Sequence, residues 1–257
     1  MPTYTLDNVA LQLYTLRNFT KTLPDFQMAV EKVRQIGYRA VQVSGIGISY
    51  PEAKKVLDDA GLKVCATHES SESILQKPEA VVERLKQIGA THTAYPWPAG
   101  IDFDNQESVE NLISQLDASG AVLARNGCTL SYHNHALEFV RLGNATILDY
   151  IYEKTNPAHL KAELDTYWVQ YGGGDPVAWL EKLSGRAPLL HLKDYAFIKD
   201  KPVFAEIGQG NLDWKRIIAA AEKAGTEWLI VEQDVCPGDP FDSIKISYDY
   251  LKGLLSH

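Results

Sequence analysis

The chain has 257 residues, 45% of them hydrophobic and 23% charged, a composition typical of a globular protein that buries a large core. Its 25 basic and 33 acidic residues leave a formal net charge of −8, which disfavours a polynucleotide or an anionic membrane as partner. Three distant cysteines without a CxxC disfavour a disulfide scaffold or a thiolate zinc site. With no signal-peptide pattern and no membrane-length apolar run, we expect a soluble cytoplasmic protein.

Short apolar segments alternate with longer amphipathic segments along the whole chain, which predicts parallel strands joined by helices. The predicted strands are 9–14, 40–44, 63–68, 91–95, 129–135, 160–165, 189–193 and 228–232. The predicted helices are 23–37, 51–61, 77–89, 106–127, 144–155, 176–184, 213–225 and 241–255, and several end in glycine. Eight such units in this length predict an α/β fold, a (β/α)8 TIM barrel, as a single domain over residues 1–257.

The alternative α/β fold is an open, doubly wound sheet with a nucleotide site. That fold requires a glycine-rich turn after the first strand, and here the following segment, TLRNFTKTLPDF, contains no glycine. We also find no P-loop. The sequence therefore favours the closed barrel.

Polar and aromatic side chains gather where the predicted strands end, and this is the end at which barrels of this type carry their functional groups. They are His68, Tyr95, Trp97, His133, His135, Glu138, Asp165, Trp168, His191, Lys193 and Glu232. Any one of them could instead cap a loop or pack at the barrel mouth. Their common placement at one end of six strands favours a shared functional site.

Strand alternation places Asp165, His191 and Glu232 on faces that can converge inside the barrel. Such a cluster of buried carboxylates is costly without a cation, so we predict a divalent metal. Glu138 lies beyond its strand and is either a fourth ligand or a solvated loop residue. Oxygen ligands with one imidazole favour Mn²⁺, with Mg²⁺, Co²⁺ or Zn²⁺ as alternatives.

The remaining residues receive predicted roles around this metal. We predict catalytic roles for His133, His135, Lys193 and Glu232, because imidazoles and carboxylates exchange protons and an ammonium stabilises an oxyanion. The expected substrate-binding residues, which include aromatic rings suited to sugars, are His68, Tyr95, Trp97 and Trp168. The glycine-containing loops 172–174 and 207–214 could cradle an anion, although short loops of this kind are weak signals.

Five strings in order, YHNHALEF, ELDTYW, LLHLKD, EIGQGNLDW and IVEQD, resemble the xylose-isomerase-like barrel superfamily, in the branch called sugar phosphate isomerase/epimerase. The resemblance covers nearly the whole chain. It implies a metal held by Glu138, Asp165, His191 and Glu232. Whether Glu138, His133 or His135 supplies the strand-five ligand stays open. Members of the superfamily include ketose 3-epimerases, inosose dehydratase, lyases of 3-oxo-glycosides and an abasic-site endonuclease.

The chain departs from the ketose epimerases of this superfamily at two positions. Ser131 stands where those enzymes carry a metal-binding glutamate, and Trp168 stands where they carry a histidine. The YHNH segment instead resembles the dehydratase and 3-oxo-glycoside lyase branches.

We therefore predict a metal-dependent sugar or sugar-phosphate isomerase or epimerase, which removes a proton next to a carbonyl through a metal-stabilised enediolate. A lyase or dehydratase of a keto-sugar, inosose or 3-oxo-glycoside is the alternative. An abasic-site endonuclease and a non-catalytic sugar-binding barrel are less favoured. The expected partner is a small carbohydrate, without nucleic acid or membrane, and a homo-oligomer is left open.

Overall fold

The computed structural model describes residues 4–256, and its centre is a closed barrel of eight parallel strands. Each strand pairs with its neighbours in sequence, and the first pairs with the last. In chain order the strands are β1 Val9–Gln12, β2 Ala40–Val43, β3 Lys63–His68, β4 His92–Tyr95, β5 Thr129–His133, β6 Leu160–Asp165, β7 Leu189–Leu192 and β8 Trp228–Val231. The predicted (β/α)8 barrel is confirmed.

Ten α-helices surround the barrel in the described part of the chain, which also contains three short 3₁₀ helices. The α-helices are α1 Leu23–Ile36, α2 Tyr50–Asp59, α3 Ser71–Gln76, α4 Pro78–Ile88, α5 Gln106–Arg125, α6 Ile147–Lys154, α7 Thr166–Tyr171, α8 Pro176–Lys182, α9 Trp214–Ala224 and α10 Pro240–Leu255. Most of these helices have a polar N-cap side chain that accepts a hydrogen bond from the first turn. Ser49, for example, forms a reciprocal capping box with Glu52 at the start of α2. Between residues 4 and 256, none of the helices has the length and apolarity needed to cross a bilayer.

The structure contains elements that periodicity did not predict. Two antiparallel hairpins follow β5 and β7, formed by Arg141–Leu142 with Ala145–Thr146 and by Asp194–Ile198 with Lys201–Ala205. The short helices α3 and α7 were also not predicted, since six residues carry too little periodicity. Strand β5 ends at His133 rather than at the expected 135, because its ladder with β6 ends there and the Asn134 amide oxygen accepts the Asp165 N–H.

The barrel wall separates two apolar cores. The larger core lies between the strands and the helices, while a small core fills the N-terminal part of the barrel interior. The members of the small core are Ala10, Ala40, Cys65, Ala66, Leu189 and Ile230. Because side chains alternate along a strand, the residues two positions beyond most of these also point inward, and they are polar. The interior therefore changes from apolar to polar towards the C-terminal ends of the strands.

Candidate active site

A pocket of about 420 Å³ opens at the C-terminal end of the barrel. Larger grooves occur on the outer helices, but this pocket is the one that contains the strand-end side chains. Its lining is formed by Tyr14, Ser44, His68, Pro96, Trp97, His133, His135, Trp168, Lys193, Glu232 and Asp234. Most of the residues that the sequence singled out therefore face one cavity.

Four buried side chains next to this pocket form a metal-type donor set: His133, Asp165, His191 and Glu232. One ligand atom from each lies within 4.8 Å of the others. The His191 Nδ1 atom is 3.0 Å from Glu232 Oε2 and 3.9 Å from Asp165 Oδ2. Two carboxylates and two imidazoles suit Mn²⁺, Zn²⁺ or Co²⁺.

The donor set also contains an unsatisfied atom. The His133 Nδ1 atom is buried and forms no hydrogen bond with any group among residues 4–256, although Glu163 Oε2 lies 3.4 Å away. Burial, together with the nearby charge on His191, holds the pKa of His133 well below its usual range. A neutral imidazole with a free nitrogen is the form that binds a metal, so these residues fit a divalent cation.

Glu138 is fully buried but belongs neither to this donor set nor to a second group of converging ligand-type side chains, formed by His68, His133, Glu163 and His191. Its carboxylate accepts hydrogen bonds from the Tyr132 hydroxyl at 2.9 Å and from the His135 backbone N–H at 2.7 Å. Burial raises its pKa to about 7, against the lowering effect of these hydrogen bonds. In this structure Glu138 therefore braces the turn that carries His135.

Lys193 is buried beside the donor set. Its ammonium lies 3.2 Å from Asp165, 3.0 Å from Glu232 and 2.5 Å from Asp234. Burial lowers its pKa, but the three carboxylates outweigh that effect and raise it above the usual value. For Asp165, burial raises the pKa to about 6 in spite of Lys193 and His191. The ammonium thus compensates part of the negative charge in the cluster.

The loop 207–214 wraps around the side chain of Asp194, the residue after Lys193. The Asp194 carboxylate accepts hydrogen bonds from the backbone N–H groups of Gly208, Gly210 and Leu212, and from the Trp214 indole N–H at 2.7 Å. The expected anion cradle therefore exists, and it holds the protein's own carboxylate. Lys193 forms its ion pairs with other carboxylates, those of Asp165, Glu232 and Asp234.

The other glycine cluster, Gly172–Gly174, serves packing. A Cβ atom on Gly172 would lie 2.4 Å from the Phe139 ring, and one on Gly174 would lie 2.8 Å from it. These glycines let the end of α7 pack against Phe139. The Phe139 ring fills the space beside them, so the predicted role of this loop in cradling an anion has no support in the structure.

Glu163 is a functional candidate that the sequence analysis did not select. It is fully buried on β6, and its carboxylate contacts His68 Nε2 at 2.5 Å, Gln42 Nε2 at 2.5 Å and His191 Nε2 at 3.3 Å. Burial raises its pKa, but His191 and His68 outweigh burial and hold it well below the usual range. Alternation along β6 puts Glu163 on the same face as Asp165, and that was the available signal.

His135 and the aromatic residues occupy the outer part of the pocket. The His135 ring lies 4.7 Å from Trp97 and 5.4 Å from Trp168, measured between ring centroids. Burial and the charge of Lys193 lower its pKa to about 3, so it is neutral near pH 7. Tyr95, in contrast, is fully buried, stacks on Tyr132 and does not line the pocket.

Comparison with known proteins agrees with this architecture. The sequence model of the family described as "Xylose isomerase-like TIM barrel" matches residues 30–254. An inosose dehydratase of Geobacillus kaustophilus is 28% identical over 58% of this chain, so the match spans about half (53%) of that relative. An inosose dehydratase of Clostridium beijerinckii is 24% identical over 88% of this chain and 89% of its own length.

Among solved structures, a sugar phosphate isomerase/epimerase of Parabacteroides distasonis superposes with a TM-score of 0.80. It is 23% identical, and the superposition covers 98% of this chain and 96% of that one. At that identity the likeness concerns the fold. The family match extends over most of the chain, and the chain therefore belongs to the xylose isomerase-like TIM barrel family.

Proposed function

We propose that this protein is a divalent-metal-dependent carbohydrate lyase of the dehydratase type, acting on an uncharged keto-sugar, inosose or 3-oxo-glycoside. The observation that carries this proposal is the buried donor set His133, Asp165, His191 and Glu232, which lies beside the neutral imidazole of His135. A base next to a metal-type site suits removal of a proton from the carbon adjacent to a carbonyl.

His133, Asp165, His191 and Glu232 would hold the metal, with His133 as the ligand from β5. When bound, the metal supplies a Lewis acid that polarises a substrate carbonyl. The surroundings of Glu232 keep its carboxylate in the ionised form that a metal ligand requires. Burial raises its pKa, but Lys193 and His191 outweigh burial and hold it well below the usual range.

His135 is the residue proposed to move the proton. Its imidazole is neutral near pH 7, which is the protonation state that a base needs before it accepts a proton. Burial and Lys193 make it a weak base in the empty pocket, and the negative charge that develops on an adjacent substrate would strengthen it. An imidazole with so low a pKa also releases that proton readily. In a dehydration the proton passes to the departing hydroxyl group, which leaves as water while the carbon–carbon double bond forms. Both steps are acid–base chemistry that a positioned imidazole performs.

The pocket favours an uncharged sugar over a phosphorylated one. Lys193 is the cation in the pocket lining, and three carboxylates already surround its ammonium. Trp97 and Trp168 offer aromatic surface for the C–H faces of a sugar ring, and His68 also lines the pocket. A cavity of about 420 Å³ accommodates a monosaccharide with room for a substituent.

Elimination is preferred to isomerisation for two reasons. The curated relatives that align with this chain bear the name inosose dehydratase, one of them over 88% of the chain. Ser131 and Trp168 also replace the glutamate and the histidine of the ketose epimerases that the sequence resembles. Isomerisation is the second candidate, because His135 can equally return its proton to carbon.

The test is incubation of the protein with Mn²⁺ and a panel of ketoses, inososes and 3-oxo-glycosides in D2O, followed by NMR and mass spectrometry. Elimination yields an unsaturated product that has lost water or an alcohol. Isomerisation yields deuterium in a product of otherwise unchanged composition. Full activity after removal of all metal, or no deuterium uptake and no product from any member of the panel, would contradict the proposal.

A further inference from the structure

Two glutamines lie fully buried inside the barrel, beside the donor set. Gln12 at the end of β1 and Gln42 on β2 are both 0% exposed. They form a chain of hydrogen bonds in which Gln12 Nε2 donates to Gln42 Oε1 at 2.9 Å and Gln42 Nε2 donates to Glu163 Oε1 at 2.5 Å. Buried amides are retained only when their polar atoms find partners, so this network defines a specific arrangement.

The direction of both amides is determined by their neighbours. The Tyr14 backbone N–H can only donate, and it donates to Gln12 Oε1 at 3.2 Å, which turns Gln12 Nε2 towards Gln42. At the other end, the Glu163 carboxylate requires the donor side of Gln42. A reversed Gln42 amide would place its oxygen against a carboxylate and its NH2 group against that of Gln12. Gln42 therefore presents its oxygen to the centre of the barrel.

This orientation acts on His191. The His191 Nε2 atom lies 2.6 Å from Gln42 Oε1, and an oxygen at that distance accepts only from a nitrogen that carries hydrogen. The other ring nitrogen, Nδ1, faces Glu232 at 3.0 Å. When the imidazole is neutral and Nε2 holds its hydrogen, Nδ1 is the nitrogen with a free lone pair.

The hydrogen on His191 Nε2 also decides between two candidate donor groups that share His133 and His191. Besides the proposed set, His68, His133, Glu163 and His191 also converge. In that group the His191 nitrogen nearest to Glu163 is Nε2, at 3.3 Å, and this atom carries a hydrogen. Glu163 is moreover occupied by Gln42 and His68. In this arrangement Glu163 and His68 are thus a hydrogen-bonded support for the donor set His133, Asp165, His191 and Glu232.

We propose that Gln12, Gln42 and Glu163 are positioning residues that select the His191 tautomer with hydrogen on Nε2 and so present Nδ1 to a divalent metal. This inference rests on the metal site of the proposed function. It assigns a role to three residues from β1, β2 and β6, none of which touches the metal. Outer partners of metal-binding histidines act in this way by orienting the ring and defining its tautomer.

The first test measures Mn²⁺ affinity by calorimetry, with the metal alone as ligand. Gln42→Met keeps the length of the side chain but removes both amide atoms, and we expect affinity to fall by about 10–100-fold. Gln12→Met, one hydrogen bond further away, should cause a smaller loss. Thr93→Val is the matched control, because it removes two buried hydrogen bonds to Thr67 in the same barrel and should leave Mn²⁺ affinity unchanged.

The second test uses the unaltered protein, labelled with ¹⁵N-histidine and loaded with diamagnetic Zn²⁺. Two-dimensional NMR should show His191 with hydrogen on Nε2 and metal on Nδ1, its signal being assigned by its loss in His191→Gln. Metal on Nε2, or equal Mn²⁺ affinity in wild type and Gln42→Met, would overturn the inference and leave the proposed function standing. A wild-type protein that binds no metal would overturn both.

Discussion

The two ends of the barrel interior use the same strands for opposite purposes. Towards the N-terminal ends, small or apolar side chains such as Ala10, Ala40 and Ile230 fill the interior. Two residues further along the same strands stand Gln12, Gln42 and Glu232, also buried. One step of strand alternation thus separates a layer that contributes burial of apolar surface from a layer that carries buried charge.

The difference shows how the polar layer is tolerated. A buried carboxylate or amide is costly unless it is partnered, and here the buried carboxylates and the two glutamines meet complementary groups. Lys193 meets Asp165, Glu232 and Asp234, while Gln42 meets Glu163. The exception in the donor set is His133 Nδ1, which supports the view that this layer is completed by a ligand.

The largest expected effect comes from breaking the polar layer at a metal ligand. Asp165→Asn keeps the shape of the side chain but removes the charge, and we expect metal affinity to fall by at least about 100-fold, because loss of a ligand costs more than loss of an outer partner. Activity should disappear with the metal. Elemental analysis beside an activity assay checks this, and a variant with normal metal content would contradict the assignment of Asp165.

A second large effect should separate chemistry from metal binding. His135→Gln removes the proposed proton carrier, and we expect the rate to fall by about 10²–10⁴-fold. Metal content should stay at the wild-type level, since His135 is absent from both donor groups. Unchanged turnover with the true substrate would exclude His135 as the base.

The pH dependence of metal affinity gives a third measure of the polar layer. In the metal-free protein burial lowers the pKa of His191, but Glu163 and Glu232 outweigh burial and raise it to about 10. Metal must therefore displace one proton, and Mn²⁺ affinity should rise by up to about tenfold for each pH unit between about pH 6 and 8. Calorimetry across that range tests this, and a flat profile would contradict it.

The raised pKa of His191 also makes the stability of the metal-free protein depend on pH. The pKa of His191 is raised from 6.5 to about 10, so its ion pairs stabilise the folded chain fully below 6.5, and this stabilisation is lost as pH rises through about 10. Urea unfolding of the metal-free protein at several pH values measures the loss.

The smallest effect should come from the apolar layer. Ile230→Val removes one methylene from the lower interior, and we expect the free energy of unfolding to fall by about 0.5–1.5 kcal/mol. Mn²⁺ affinity should not change, although Glu232 lies only two residues away. If affinity fell as well, the two layers would be coupled and their contrast would be weaker than the structure indicates.

Much of the fold was predictable because it depends on local pattern. Alternation of apolar strands with amphipathic helices predicted the closed barrel, and strand parity placed Asp165, His191 and Glu232 at one end of it. The two hairpins and the short helices α3 and α7 escaped prediction, because each contains too few residues for a periodic signal. Their positions depend on how the loops pack over the barrel.

By itself the sequence determined the barrel, the end that carries the site and most residues of the pocket, since these follow from the repeating alternation of side chains. Only the tertiary structure decided the contacts among distant strands. It joined His133 to the donor set, placed Glu138 against the backbone of His135, and linked Gln12, Gln42 and Glu163 beside His191. These contacts arise from closure of the barrel, which brings together side chains that the linear pattern cannot pair.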